Sequence, residues 1–153
     1  MSSGIEARVT HRFKASPERV FDAWIRPDSA RRWLKAALME MGLAGDIRRV
    51  EIDPRVGGTF FFSDQRGDEE ARHWGRYLEF DRPRRLAFTW ITDPSEESKL
   101  STVTVTIEPD GDGCVATLVH EMDAAWAEYR SRTEQGWSRM LGAIAHLTDT
   151  SNP

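Results

Sequence analysis

The residues best equipped for chemistry in this 153-residue chain are four histidines (His11, His73, His120 and His146), one cysteine (Cys114) and arginines set among apolar neighbours. The histidines lack metal-ligand spacing, and one cysteine builds neither a zinc site nor an internal disulfide. No G-x-S-x-G elbow, phosphate-binding loop or dinucleotide glycine pattern occurs. No catalytic set, metal or cofactor is therefore assigned. What remains is a handful of polar side chains on apolar faces, each of which must reach water, a partner or a ligand.

His120 shares a strand face with Leu118 and Met122. On a concave face its imidazole would orient a ligand or move a proton near neutral pH; the plainer reading is a satisfied core histidine. His11 interrupts the apolar face of the first strand, either as a polar contact inside a cavity or as a locally bonded histidine near a strand end. Arg76 alternates in step with Trp74, Leu78 and Phe80. Its planar fork suits a ligand carboxylate or phosphate, or a structural acid such as Glu121. Arg130 and Thr133 interrupt the apolar stripe of the last helix, and Arg130, toward its N-terminus, marks the wetter end.

The elements that position these groups follow from periodicity. Ile5 to Phe13 alternates cleanly, with Ile5, Ala7, Val9, His11 and Phe13 on one face, as a half-buried strand does. Ser16 and Pro17 then open a helix, "SPERVFDAWI", carrying Phe21, Trp24 and Ile25 at helical spacing. After Pro27, "DSARRWL" reads as a second short helix with Trp33 and Leu34. Strands follow at "DIRRVEID", "TFFFS", "HWGRYLEF", "RLAFTWI", "STVTVTIEP" and "CVATLVHEM". "DRPR" and "DGDG" are hairpin turns, Gly57-Gly58 a tight strand connection, and "DQRGDEEAR" and "TDPSEESK" polar loops.

From Asp123 to Leu147 no proline occurs, and Trp126, Arg130, Thr133, Trp137, Met140, Ile144 and Leu147 form one stripe with Leu141 beside it. A helix of that length spans about 37 Å. Gly136 inside it costs about 1 kcal/mol relative to alanine, which close approach of the sheet would explain. The order of strand, two short helices, about six strands and one long helix implies an α+β domain with helices on one face of an antiparallel sheet. Trp126, Trp137, Met140, Leu141 and Ile144 are core first and cavity wall second, and Trp74 and Trp90 are walls from the sheet side. In "TFFF", Phe60 and Phe62 point one way and Phe61 the other. His73 and His146 are expected near solvent.

Composition narrows the function classes. The net charge is −4, and acidic residues accompany the pairs Arg31-Arg32, Arg48-Arg49 and Arg84-Arg85, so no nucleic-acid footprint emerges. No apolar run of 18 residues spans a membrane. The length fits one domain over residues 1–153, and the single cysteine with no leader-like start fits a cytoplasmic location.

The segments "SPERVFDAWIRPDSARRWL", "DPRVGG", "GRYLEFDRPRRLAFTW", "VTVTIEPDGDGCVATLVHEM" and "GWSRML" stand in the order found in the START-like (SRPBCC) superfamily. They resemble its branch named for the activator of heat-shock-protein-90 ATPase, over nearly the whole chain. The resemblance implies a helix-grip fold, a curved antiparallel sheet around the long C-terminal helix with a cavity between them. The similar eukaryotic activator carries a separate chaperone-binding domain for which this chain has no room, so chaperone activation is not carried over. An empty apolar cavity of about 300 Å³ would cost on the order of 7 kcal/mol. It should therefore be small, wet or occupied, or be filled by some of the six tryptophans.

Three functions are thus in play. The first is binding of a small hydrophobic or aromatic, even anionic, molecule by His11, Phe60, Phe62, Trp74, Arg76, Trp90, His120, Arg130, Thr133, Trp137, Met140, Leu141 and Ile144, between sheet and C-terminal helix; a fully packed interior beneath that helix would oppose it. The second is a cavity enzyme of the cyclase, aromatase or hydrolase type, using His11 or His120. The third is a chaperone or stress-related partner, acting through an exposed apolar patch. Monomer and homodimer are both compatible with the sequence.

Overall fold

A computed structural model describes residues 4–92 and 101–150. The chain runs β1 (Gly4–Phe13), α1 (Pro17–Ile25), α2 (Pro27–Glu40), β2 (Asp46–Ile52), β3 (Thr59–Arg66), β4 (Glu69–Asp81), β5 (Arg85–Trp90), β6 (Ser101–Asp110), β7 (Gly113–Asp123) and α3 (Arg130–Thr150). Seven strands form one antiparallel sheet in the order β1-β7-β6-β5-β4-β3-β2. The sheet curves around the helices, the α+β helix-grip arrangement that the resemblance implied.

Local signals act as read. Ser16 accepts from the Arg19 backbone N–H at 3.3 Å and Pro17 opens α1. "DGDG" is a two-residue hairpin closed by Asp110 opposite Gly113, with Gly111 at φ +60°. One side of the sheet supplies the core, with Val103, Val105 and Ile107 facing Ala116 and Leu118, and Leu141 and Ile144 of α3 closing over it.

Other elements depart from the sequence reading. The second helix is not short; it runs 14 residues to Glu40. "DQRGDEEAR" is no loop, because β3 continues to Arg66 and β4 starts at Glu69. It buries Asp64, whose carboxylate is held by Arg66 at 2.8 Å. Residues 93–100, most of the expected "TDPSEESK" loop, lie outside the described residues. The last helix is also broken. Residues Ala124–Tyr129 form a 3₁₀ segment with Trp126 off helical geometry at φ −100°, ψ 18°, and α3 proper begins at Arg130.

Gly136 is not explained by close approach, since a Cβ there would meet nothing within 4 Å. Gly136→Ala is therefore expected to stabilise the protein by about 0.5–1 kcal/mol. Urea unfolding measures this; a loss of stability would mean that another group fills that space.

Candidate functional site

The sheet's concave face is decided at β4, where one irregularity acts. The extra residue Leu78 between the Tyr77–Phe88 and Glu79–Ala87 pairs makes a bulge. Phe61 pairs with Trp74, and Phe62 with His73. Directly paired residues point the same way. His73, Gly75 and Tyr77 thus share the face of Phe60 and Phe62, while Trp74, Arg76 and Leu78 stand on the convex side. Beyond the bulge the parity flips, and Phe80 returns inward to meet Phe21 and Tyr77. Unbroken alternation from Phe80 back to Trp74 gave the opposite assignment. The structure reverses it: Trp74 and Arg76 do not line the interior, and His73 stacks on Trp90 at 5.1 Å.

The Phe60–Phe61–Phe62 run resolves in the same way. Phe60 and Phe62 are buried with their rings 5.4 Å apart. Phe61 lies on the convex side, where the Arg49 guanidinium covers its ring at 4.5 Å.

Phe60, Phe62, Tyr77, Leu86, Phe88 and Trp90 from the sheet meet Trp24 of α1 and Trp33 of α2 around one aromatic pocket. It retains only about 10 Å³ of free space. The rings fill the rest: Phe60 packs edge-on to Phe88 at 5.4 Å, and Trp24 packs on Trp33 at 5.5 Å. The gap faces α1 and α2 rather than the C-terminal helix. Trp137 of α3 touches it from the side, 4.9 Å from Trp90 and 6.2 Å from Trp24. Beneath α3 itself, Leu141 and Ile144 are fully buried core and Met140 packs partly buried against it.

Of the residues singled out from sequence, the structure brings Phe60, Phe62 and Trp90 to the pocket and sets Trp137 beside it. His11 is partly exposed on β1, 5.0 Å from the Phe13 ring. Arg130 is exposed at the start of α3, and the Thr133 hydroxyl donates to Met122 Sδ at 3.8 Å. Sequence reasoning overlooked Trp24, Trp33, Tyr77, Leu86 and Phe88 as walls. Trp24 at its helical spacing was the available signal.

The interior tryptophans differ in how their N–H groups are satisfied. Trp33 Nε1 donates to the Ala23 carbonyl at 2.9 Å, tying α1 to α2. Trp137 Nε1 donates to His120 Nδ1 at 3.0 Å. Trp24 Nε1 is buried with no partner.

Since His120 accepts at Nδ1, its proton sits on Nε2, which is also buried and unpartnered. Burial lowers its pKa to about 4, so it is neutral at pH 7, and it does not border the pocket. Burial also holds the Tyr77 phenol far above its ordinary pKa and pushes the Cys114 thiol up to about 11. Cys114 is thereby an unreactive core group.

The fold is shared with known proteins. A family model described as Activator of Hsp90 ATPase homolog 1-like protein matches residues 14–149. The chain belongs to this family. Members of the activator of Hsp90 ATPase homolog 1-like family generally have a ligand-binding hydrophobic cavity.

Among solved structures, CV1439 from Chromobacterium violaceum is 25% identical, covers 99% of this chain and 100% of its own, and has a TM-score of 0.79. The Aha1 dimer from Colwellia psychrerythraea is 12% identical over 97% of this chain and 99% of its own, with a TM-score of 0.70. CalU16 from Micromonospora echinospora is 20% identical over 95% and 76%, with a TM-score of 0.65. No curated protein matches the chain. Among the described residues, no helix is long and apolar enough to cross a membrane.

Proposed function

We propose that this protein binds a small planar aromatic molecule carrying a hydrogen-bond acceptor, in the pocket between the sheet and helices α1 and α2. One observation carries the reading: the buried Trp24 N–H has no partner in a wall otherwise made of rings and Leu86. Leaving such a donor unpaired costs about 1–3 kcal/mol. Water is a poor remedy. A space of about 10 Å³ is at the limit for one molecule, which also needs two or more polar partners. An acceptor on a ligand satisfies the N–H, and the ligand's ring stacks between the side chains that part to admit it.

Entry requires the rings to separate. Trp90 is the partly exposed wall residue, with His73 stacked on its outer side. Rotation of this pair opens the pocket by withdrawing Trp90 from its contacts with Phe60, Phe88 and Trp137. Binding is favoured over catalysis because the groups bordering the pocket include no acid or base that titrates near neutral pH.

The test compares 1-acetonaphthone, which has a carbonyl acceptor, with naphthalene, which does not, by tryptophan fluorescence and calorimetry. The ketone is expected to bind about tenfold more tightly, an advantage equivalent to about 1.4 kcal/mol. Trp24→Phe should remove most of that preference while leaving the fold intact. No saturable binding of either probe, or an unchanged preference in Trp24→Phe, would overturn the proposal.

A further inference from the structure

A second cavity, of about 210 Å³, lies among α1, the start of α2 and the last turns of α3. Its character is opposite to that of the aromatic pocket. Arg19, Arg26 and Arg32 line it together with Asp22 and Asp28. Asp22 is already engaged: both its oxygens accept from the Arg82 guanidinium, at 2.7 and 2.9 Å, in a forked pair. Three guanidinium-bearing side chains therefore share one space with a single remaining carboxylate, Asp28. Among the described residues, the side chains of Arg26 and Arg32 have no hydrogen-bond or ion-pair partner. Both are exposed, so they are free to turn toward an incoming ion.

The backbone adds to this field. Arg26 is the N-cap of α2 and provides no side-chain cap, and Pro27 has no N–H. The first amide of α2 to bond back is that of Ala30, to the Arg26 carbonyl at 2.8 Å. The Asp28 and Ser29 amides thus stand at the positive end of a 14-residue helix, bordering the same cavity as the arginines.

We infer that this cleft is a binding site for a phosphate monoester group, held by Arg26 and Arg32 with Arg19 beside them. The two unpartnered guanidinium groups of Arg26 and Arg32 match the double negative charge of such a group. Planar guanidinium forks suit phosphate oxygens that accept in pairs. The inference is independent of the aromatic pocket, for it uses other side chains and another face of α1 and α2.

The test titrates inorganic phosphate and methyl phosphate into the full chain by calorimetry. Sodium chloride and sodium acetate at equal ionic strength serve as comparisons, and thermal unfolding is a second readout. Both phosphates are expected to bind saturably and to raise the melting temperature, since a ligand of the folded state stabilises it by mass action. The double variant Arg26→Gln/Arg32→Gln should weaken binding at least tenfold, because hydrogen bonds to charged groups are among the stronger ones. Its melting temperature without phosphate should stay near wild type, both side chains being exposed. Arg48→Gln, which removes an exposed arginine paired with Asp46 elsewhere, should leave phosphate binding unchanged. Equal effects of phosphate and chloride, acetate binding as tight as phosphate, or wild-type affinity in the double variant would each overturn the assignment.

Discussion

Between pH 6.5 and 4 the protein is expected to lose about 3 kcal/mol of stability through His120 alone. Burial depresses the folded-state pKa of this histidine to about 4, while in the unfolded chain it titrates at the ordinary 6.5. As pH falls through this window the unfolded chain takes up a proton that the folded protein refuses. The stabilisation by neutral His120 is therefore complete above about 6.5 and has drained away by about 4. A difference of 2.5 units at 1.36 kcal/mol each gives the magnitude. The surroundings account for the refusal: Ala7 and Val103 flank it in the sheet, and Trp137 already donates to Nδ1.

Urea unfolding of wild type and His120→Gln across pH 7 to 4 checks this. Glutamine keeps an acceptor for the Trp137 N–H but does not titrate. The stability difference between the two proteins should shift by about 3 kcal/mol in favour of the variant as the pH falls. Parallel pH profiles would show that the folded protein admits the proton as readily as the unfolded chain, and that His120 is not sealed in the core.

Gly75→Ala is the substitution expected to damage the fold most for the fewest atoms. A Cβ at Gly75 would overlap the Thr89 carbonyl oxygen and come within 2.8 Å of Phe60 Cε2. The first obstacle is backbone, so β4 and β5 must part where Trp74 and Ile91 exchange hydrogen bonds of 3.0 and 2.9 Å. The second is a ring of the aromatic pocket. A cost of about 3 kcal/mol, at the upper end for overpacking, is expected. It corresponds to a melting temperature lower by roughly 6–12 °C for a domain of this size. Calorimetric scans of wild type, Gly75→Ala and Gly136→Ala test the contrast directly. A melting point for Gly75→Ala within 2 °C of wild type would mean that the strands are not so closely apposed.

Much of the architecture was legible because it rests on local chemistry. Ser16-Pro17 opens a helix wherever it is placed, and "DGDG" turns a chain for its own conformational reasons. Period-two alternation marks β1, β6 and β7 with no knowledge of their partners. The segment at 64–72 misled because polar composition was taken for a loop. There Asp64 is buried by pairing with Arg66, and its charge says nothing of its depth. The helix boundary near residue 130 was missed for a related reason. The stripe from Trp126 to Leu147 continues in sequence, but the chain spends six residues as a 3₁₀ segment before α3 begins.

The candidate site was legible only in part. Phe60, Phe62 and Trp90 follow from their own strands' alternation, whereas Trp74 and Arg76 were set on the wrong face by a single extra residue at Leu78. A bulge has no fixed signature, and one inserted residue inverts every position on one side of it. Trp24 and Trp33 were visible as apolar helix positions. That one indole N–H finds the Ala23 carbonyl while the other finds nothing depends on where α2 crosses α1.

The sequence by itself determined most of the order of elements, the α+β class with an antiparallel sheet and the aromatic richness of the interior, because these depend on residue type and spacing along the chain. The helix-grip form was implied by the family resemblance. Only the tertiary structure decided which face of β4 looks inward, where free space remains among the aromatic rings and which buried donors are left without an acceptor. Those depend on register and on the meeting of residues far apart in the chain, and the final closeness of packing sets them.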